Sequence, residues 1–260
     1  MKVYSSKRKH ERDKIDVLVI FKLNLRLKGD IIILLELNKI YNEDFLTNKL
    51  PNESIDLCIT DPPYKIISRG SVGKGVIQRP KGVLTRNDGL LFDHCEIKID
   101  KWIPEIYRVL KQNTHCYIFT NVLNLHEMLD VSKKAGFKLH NLLVWEKNNC
   151  TPSQFYMKNC EYVLFLRKGK AKWINDIGGS KTVHEFKNII GKKVHPTEKP
   201  LELINFYLKN SSQEGDIVLD PFCGSGPVLV SAKENKRSYI GYEIDPIYSD
   251  IAEKRILDIV

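Results

Sequence analysis

Asp216-Ile217-Val218-Leu219-Asp220 runs directly into Pro221-Phe222-Cys223-Gly224-Ser225-Gly226, and this junction decides the fold. The first five residues predict a short buried strand, and a helix is expected from Pro227 to about Asn235. A second predicted strand, Ser238 to Tyr242, ends at Glu243. A strand, a glycine turn, a helix and a second strand closed by an acid form a unit that can hold a nucleoside-bearing cofactor.

The glycine turn narrows the choice of cofactor. Gly224 and Gly226 allow a tight turn and a close approach of the backbone to a ligand. The turn does not match G-x-G-x-x-G, and no lysine follows it as in a phosphate-binding P-loop, so NAD and ATP are poor fits. We interpret Cys223 as a small packing residue, because no basic group is arranged around it in the sequence to activate a nucleophile.

A second motif, Asp61-Pro62-Pro63-Tyr64, follows the apolar run Ile55 to Thr60, which predicts another buried strand. Each proline fixes its own φ at about −65° and lacks an N–H group, and the residue before each proline is pushed towards extended geometry. We therefore expect outward-pointing carbonyl acceptors beside a carboxylate and an aromatic face. That arrangement suits a planar ring with an exocyclic amine, and the alternative is a strand that ends in a Pro-Pro turn and a surface tyrosine.

Strand and helix patterns alternate around these two motifs. The predicted helices are Asn42 to Leu50, Trp102 to Leu110, Leu123 to Ala135 with Gly136 as its stop, and Leu201 to Leu208; the further strands are His115 to Thr120, Leu139 to Trp145 and Tyr162 to Leu166. This alternation indicates an α/β sheet that is covered by helices on both faces.

Composition limits the class of protein. The 260 residues suffice for one large domain, and no apolar run approaches the roughly 20 residues of a membrane span. Six cysteines at irregular spacings, with no C-x-x-C, favour a reduced cytoplasmic protein over a disulfide scaffold or a zinc site. The net charge of +9 suggests a polyanionic partner. No membrane partner is expected, because no apolar run is long enough to span a bilayer.

Three basic segments stand out: an N-terminal extension over residues 1–35, a glycine-containing loop over residues 65–92 and an insert over residues 167–193. Basic groups with scattered aromatic residues suit contacts with nucleic acid, and an ordinary solvated face is the alternative. The candidate nucleic-acid-binding residues are Lys65, Arg69, Lys74, Arg79, Lys81, Arg86, Arg167, Lys170 and Lys172.

Three motifs together resemble those of the amino-group DNA methyltransferases that use S-adenosylmethionine: Asp61 to Tyr64, Asp220 to Gly226, and His195 to Pro200. Their order resembles the beta class, in which the target-recognition segment lies between tetrad and glycine loop, here at residues 167–193. The resemblance covers residues from about 37 to the C-terminus. Pro227 replaces the threonine usual after the glycines, and Glu198 replaces the usual glutamine.

The resemblance implies a seven-stranded, mostly parallel Rossmann-like sheet with one antiparallel strand, in a methyltransferase domain over residues 36–260. It implies a site-specific enzyme that methylates adenine N6 in duplex DNA after the target base is flipped, because an aspartate-initial tetrad is commonest among adenine enzymes. Methylation of cytosine N4, methylation of RNA and a non-catalytic nucleic-acid-binding module stay open. A restriction endonuclease partner and a monomeric or homodimeric state also stay open.

The resemblance also assigns roles to residues. The catalytic set is Asp61, Pro62, Pro63 and Tyr64: the Asp61 carboxylate and the Pro62 carbonyl accept the two N–H bonds of the amine, and Tyr64 stacks on the base. The cofactor-binding set is Asp220, Pro221, Phe222, Cys223, Gly224, Ser225, Gly226, Glu243, Thr197 and Lys199. Within that set Asp220 faces the methionine amine, Glu243 the ribose, and the stretch from Thr197 the carboxylate; no metal is expected.

Overall fold

The computed structural model describes residues 35–63, 98–151, 156–191 and 198–259, which fold around one eight-stranded sheet. The strands are β1 (Lys39–Tyr41), β2 (Ile55–Thr60), β3 (Leu110–Thr120), β4 (Lys138–Thr151), β5 (Lys158–Lys168), β6 (Val183–Glu185), β7 (Ile217–Asp220) and β8 (Ser238–Tyr242). The helices are α1 (Ile99–Val109), α2 (Leu125–Ala135), α3 (Leu201–Ser211), α4 (Pro227–Glu234) and α5 (Pro246–Leu257). The predicted α/β fold class is therefore confirmed.

Neighbouring strands follow the order β1-β8-β7-β2-β3-β5-β4-β6. Strand β5 runs antiparallel to both of its neighbours, β3 and β4, and the other neighbouring pairs are parallel. The prediction of a mostly parallel sheet with one antiparallel strand is confirmed, whereas the predicted count of seven strands is one too few. The edge strands β1 and β6 have three residues each, which is too short for an alternation pattern to reveal them.

Helices cover both faces because the central strands bury side chains on both sides. Leu57 and Ile59 of β2 pack with residues of α3, α4 and α5, while Cys58 packs on the other face with residues of α1 and α2. A parallel strand that is buried on both faces appears in the sequence as a nearly continuous apolar run. This explains why Ile55–Thr60 could be recognised as a strand.

Strands β2 and β7 lie side by side, and the chain leaves them in opposite directions. From β7 it crosses through α4 to β8, and from β2 it reaches β3 by way of α1 on the other side. The carboxyl ends of β2 and β7 therefore flank a crevice at the switch point of the sheet. Open α/β sheets bind their ligands in this position.

The predicted helix from Asn42 to Leu50 is wrong, because the structure has a single 3-10 turn there, Phe45–Thr47. The Asp44 carboxylate accepts a hydrogen bond from the Leu46 N–H group, and the Asn48 amide donates to the Phe45 carbonyl. Side-chain bonds to nearby backbone groups offer an alternative to continued helical bonding. By contrast, α2 ends at Gly136 as predicted, with φ at +108°.

The sequence pattern does not reveal α5, the longest of the described helices at 12 residues. Its buried positions are Ser249, Ala252 and Ile256, which have helical spacing but form no strongly apolar stripe. The Asp245 side chain caps the helix by accepting from the Ile247 N–H group. Across the described ranges, no helix combines the length and apolar character that crossing a bilayer requires.

Candidate active site

The two sequence motifs meet at the switch point of the sheet. Asp220 closes β7, and Asp61 follows the last residue of β2. The Thr60 hydroxyl donates a hydrogen bond to Asp220 Oδ1 at 2.8 Å and ties the two strand ends together. The structure thus places the first three residues of the tetrad and the glycine turn at the two sides of one crevice.

Asp220 is a buried carboxyl group at the base of this crevice. Burial raises its pKa to about 7, against the lowering effect of hydrogen bonds from the Thr60 hydroxyl and the Phe222 N–H group. The negative charges of Asp61 and Glu243 raise it further. A desolvated carboxylate among other acids favours a cationic ligand, because the added positive charge stabilises its ionised form.

Glu243 follows β8 and holds the glycine turn in place. Its Oε2 accepts a hydrogen bond from the Gly224 N–H group at 2.8 Å, and its Oε1 accepts from the Asp245 N–H group at 2.8 Å. The carboxyl group is partly buried, and burial raises its pKa. Each carboxylate oxygen has more than one acceptor position, so Glu243 can also accept from a ligand hydroxyl.

The turn from Pro221 to Gly226 packs tightly between the sheet and the helices. Gly226 has φ at +78°, and a Cβ there would lie 2.9 Å from the Ala252 Cβ. Cys223 is buried, its N–H group donates to the Tyr242 carbonyl at 2.9 Å, and burial raises the pKa of its thiol. These features agree with a packing role for Cys223. Phe222 packs edge-on against Trp102 of α1, with ring centroids 5.4 Å apart.

Arg255 of α5 joins two segments of the site. Its guanidinium Nη1 lies 2.8 Å from Glu198 Oε1, and it donates to the carbonyl and the hydroxyl of Ser225 at 2.9 and 3.0 Å. Glu198 and Ser225 are both buried. Glu198, which replaces the glutamine of the family that the chain resembles, therefore pairs its charge with Arg255. We call this set the Arg255 clamp: it fixes the segment that enters α3 against the glycine turn.

A chain of alternating charges lies beside the tetrad. The buried Lys199 ammonium donates to Asp61 Oδ2, and it lies 3.4 Å from Glu161 Oε2. Lys147 donates to the other oxygen of Glu161 at 2.9 Å. The Lys199 ammonium also lies 5.1 Å from the centroid of the Phe119 ring. We call Asp61, Lys199, Glu161 and Lys147 the charge chain.

Opposite charges in the chain stabilise the ionised forms of Lys199 and Glu161. Burial alone would lower the pKa of Lys199, but the carboxylates of Asp61 and Glu161 outweigh it, and the pKa is raised. Burial would raise the pKa of Glu161, but Lys199 and Lys147 lower it to about 2. Two carboxylates thus alternate with two ammonium groups, an arrangement that keeps all four charges compensated.

Several predicted site residues lie outside the part of the chain that the structure describes. They are Tyr64, Thr197, and the basic loop residues Lys65, Arg69, Lys74, Arg79, Lys81 and Arg86. Of the catalytic tetrad, Asp61, Pro62 and Pro63 are described, and Pro62 is buried. Lys199 was expected to face the cofactor carboxylate. The structure places its ammonium on Asp61 and Glu161, and a contact with cofactor stays a prediction.

Arg167, Lys170 and Lys172 do not lie near the tetrad. Strand β5 places Tyr162 opposite Thr120 at the crevice edge, but Arg167 opposite His115 towards the other edge of the sheet. Five strand residues separate these pairs, a distance of about 17 Å. The structure also continues β5 to Lys168, so the predicted insert 167–193 begins inside a strand. A role of these three residues in binding nucleic acid stays a prediction.

Three residues of the site escaped the sequence interpretation: Glu161, Lys147 and Arg255. Glu161 immediately precedes the apolar run Tyr162 to Leu166, so an acid at the end of a predicted strand was a visible signal. Lys147 likewise follows the predicted strand Leu139 to Trp145. No local pattern marks Arg255, because its partners lie far away in sequence.

The donor set suits an organic cation better than a metal ion. Among the described side chains, no group of three or more His, Cys, Asp or Glu residues is arranged to hold a metal. Asp220 offers a desolvated carboxylate to a positive charge, Glu243 offers acceptors to hydroxyl groups, and the glycine turn approaches closely without side chains. These features fit a positively charged cofactor that carries a nucleoside.

Comparison with known proteins identifies a family of DNA methyltransferases. A family model for N6/N4 enzymes, described as DNA methylase, matches residues 55–254. The chain is 31% identical over 264 residues to the type II methyltransferase M.HinfI of Haemophilus influenzae, a match that covers 91% of this chain and 69% of the relative.

Solved structures of DNA methyltransferases superimpose on this chain. The complex of M1.HpyAVI with SAM is 26% identical, superimposes with a TM-score of 0.62, and the match covers 84% of this chain and 98% of that protein. PvuII DNA methyltransferase, described as cytosine-N4-specific, superimposes with a TM-score of 0.63. The match covers 85% of this chain and 86% of that protein. Its identity is 18%, so this second likeness shows the fold alone.

Proposed function

The chain belongs to the DNA methylase family of N6- and N4-amino-group methyltransferases, and from this premise we propose that it methylates adenine N6 in duplex DNA. S-adenosylmethionine is the methyl donor of the family. The observation that carries the choice of adenine is Asp61, the aspartate that begins the tetrad and lies at the switch point beside the glycine turn. In this feature the chain resembles the adenine enzymes more than the cytosine enzymes.

The residues of the crevice fit S-adenosylmethionine, which carries an ammonium group, a positive sulfonium and two ribose hydroxyls. We assign the ammonium to Asp220, the ribose hydroxyls to Glu243, and the close backbone contact to Gly224 and Gly226. When bound, the cofactor supplies a methyl group on a positively charged sulfur, open to attack by a nucleophile. Of the other predicted contacts, Thr197 and Lys199 would face its carboxylate.

Asp61 prepares the attacking amine. The lone pair of adenine N6 is delocalised into the ring, so the amine is a poor nucleophile. The Asp61 carboxylate and the Pro62 carbonyl accept its two N–H bonds, draw the nitrogen towards tetrahedral geometry and direct the lone pair at the methyl group. The nitrogen becomes more acidic as it gains the methyl, so the bond to Asp61 strengthens in the transition state, which is the condition for faster chemistry. As the bond from N6 to the methyl group forms, the bond from sulfur to that methyl group would break and leave a neutral thioether. The surplus N6 proton would pass to water by way of the Asp61 carboxylate that accepts its hydrogen bond.

The base must leave the duplex to reach this position, and Tyr64 is assigned to stack on the flipped ring. The contribution of the protein is then positioning and hydrogen-bond electrostatics around the amine. Contacts with the DNA backbone are assigned to the basic loop that follows the tetrad, residues 65–92. Cytosine N4 presents the same exocyclic amine on a smaller ring and is the competing target.

Nucleoside analysis tests the proposal directly. DNA from a methylation-deficient host that expresses the chain is digested to nucleosides and separated by mass spectrometry. We expect N6-methyladenine, and an Asp61→Ala chain expressed in the same host is the matched control. N4-methylcytosine in place of N6-methyladenine would assign the enzyme to the cytosine branch, and neither product would remove the proposal. Modification-sensitive sequencing of the same DNA gives the target sequence.

Cofactor affinity should rise with pH through the titration of Asp220. Its pKa of about 7 means that the group is mostly neutral at lower pH and becomes a carboxylate, able to pair with the cofactor ammonium, as the pH rises. Calorimetric titration from about pH 5.5 to about pH 7.5 stays below the pKa of a free α-amine, about 7.7–8.0. We expect the association constant to increase about tenfold or more over this range.

Two variants separate Asp220 from other titrating groups. Asp220→Asn should bind cofactor weakly and show no increase over this range. Thr60→Val removes a hydrogen bond that lowers the pKa of Asp220, so its affinity should rise at higher pH than that of the parent. An unchanged increase in Asp220→Asn would assign the effect to another residue.

A further inference from the structure

The charge chain contributes to the orientation of the Asp61 carboxylate. Asp61 follows the end of β2, where the backbone stops being held by the strand ladder. Its Oδ2 accepts from the Lys199 ammonium. Lys199 is only 6% exposed, so its position is determined by protein groups and not by solvent. The orientation of Asp61 therefore depends on what holds Lys199.

Glu161 is the second carboxylate on Lys199. It comes from β5, the antiparallel strand, and it reaches Lys199 at 3.4 Å. Lys147 of β4 binds its other oxygen at 2.9 Å, which fixes the plane of the carboxylate between two ammonium groups. Glu161 and Lys147 lie outside all three family motifs, on strands that contribute nothing to the glycine turn.

We propose that Glu161 is a positioning residue for methyl transfer: it holds Lys199 in place as an ammonium, and Lys199 in turn orients the Asp61 carboxylate towards the target amine. This inference rests on the role of Asp61 in the proposed function. Glu161 does not touch the base or the cofactor in this arrangement. Its negative charge compensates the burial of Lys199, which would otherwise favour the neutral amine.

The surroundings of Lys199 show why Glu161 is needed. Burial alone lowers the pKa of Lys199, and the two groups that raise it are Asp61 and Glu161. Phe119 of β3 offers only its ring face, and Glu198 is paired with Arg255. Tyr207 of α3 is also near Glu161, and burial raises its pKa well above the ordinary value, so it stays neutral. Asp220 lies beyond Asp61 and is engaged by Thr60.

The test is the pH profile of methyl transfer under single-turnover conditions with saturating cofactor. Glu161→Gln keeps the shape of the side chain and removes its charge. We expect its rate near neutral pH to fall about 10–100-fold, by analogy with the loss of an outer partner that orients a metal ligand. Because the pKa of Lys199 falls, the loss of rate at high pH should begin about 1–3 pH units lower than in the parent.

A second substitution restores the charge by another route. Arginine is not deprotonated in this pH range, so Glu161→Gln combined with Lys199→Arg should move the high-pH limit back towards that of the parent. Glu53→Gln is the matched control, because Glu53 pairs with another buried lysine, Lys168, at 3.3 Å at the opposite edge of the sheet. Its rate and pH profile should equal those of the parent.

The outcomes are distinct. The proposal is overturned if Glu161→Gln methylates at the rate of the parent. It is also overturned if the rate falls by the same factor at every pH, because that is the result expected of a residue with a merely structural role. If Glu161→Gln does not fold, Glu161→Asp replaces it: the shorter carboxylate should lower the rate while keeping the high-pH limit, and an equal rate overturns the proposal. The rates are followed on whichever base nucleoside analysis identifies. If the unmodified chain methylates neither adenine nor cytosine, the proposed function is wrong. This outcome differs from a failure of the inference about Glu161, which requires an active parent.

Discussion

Replacing Asp61 with alanine should lower the single-turnover rate of methyl transfer by at least about 10²–10³-fold while leaving cofactor affinity nearly unchanged. The magnitude follows from the loss of a preorganised hydrogen-bonding group that acts on the reacting atoms. Asp61 contacts the amine and not the cofactor in the proposed arrangement, so calorimetric titration of S-adenosylmethionine should give an affinity close to that of the parent. The two measurements together separate chemistry from binding.

The charge chain adds a structural effect that must be controlled. Alanine at position 61 removes one of the carboxylates that pair with the buried Lys199, and breaking a buried pair destabilises proteins by about 3–5 kcal/mol. Thermal unfolding therefore has to show that the variant is folded at the assay temperature. Asp61→Asn keeps an oxygen acceptor for the amine and should retain more activity. A folded Asp61→Ala protein that methylates at more than about a tenth of the parent rate would refute the assigned role.

Replacing Glu243 with alanine should weaken cofactor binding by roughly 1.5–3 kcal/mol, the value of hydrogen bonds to a charged group. This corresponds to an increase of about 10–150-fold in the dissociation constant. Two effects combine: the ribose hydroxyls lose their acceptor, and the Gly224 N–H group loses the carboxylate that holds the glycine turn. Calorimetric titration of the folded variant measures the sum.

Glu243→Gln separates these two effects. The amide keeps one acceptor oxygen where the carboxylate has two, and its nitrogen can accept neither from the Gly224 N–H group nor from the ribose. We expect an affinity between those of the parent and of the alanine variant. If Glu243→Ala binds S-adenosylmethionine as tightly as the parent, Glu243 is a residue of the turn and not a cofactor ligand.

The sequence predicts the centre of the fold better than its edges. Strands β2 and β7 are buried on both faces, so Ile55–Thr60 and Ile217–Asp220 appear in the sequence as apolar runs. An acid, Asp61, directly follows the first run, and another, Asp220, ends the second. Strand β6 and helix α5 were missed because Val183–Glu185 is too short for a pattern and Ser249 and Ala252 are too small to form an apolar stripe. Both elements depend on tertiary packing more than on local propensity.

The candidate site shows the same division. Asp61, Asp220 and Glu243 could be predicted because each lies at the end of a recognisable strand. The pairing of Glu161 with Lys199 could not be predicted. It depends on the register of β5 against β3, in which Tyr162 lies opposite Thr120. Long-range register is a property of the folded sheet, and no spacing in the sequence encodes that Glu161 will lie beside Lys199.

The Arg255 clamp can close only late in synthesis, because Arg255 leaves the ribosome after both segments that it joins. Asp61 leaves first, the glycine turn follows, and Arg255 comes after both, about 10–40 s later than Asp61 at about 5–20 residues per second. Until then, nothing from α5 holds Glu198 and the segment that enters α3 against Ser225 of the glycine turn. We expect a nascent chain to carry the tetrad without being able to modify DNA.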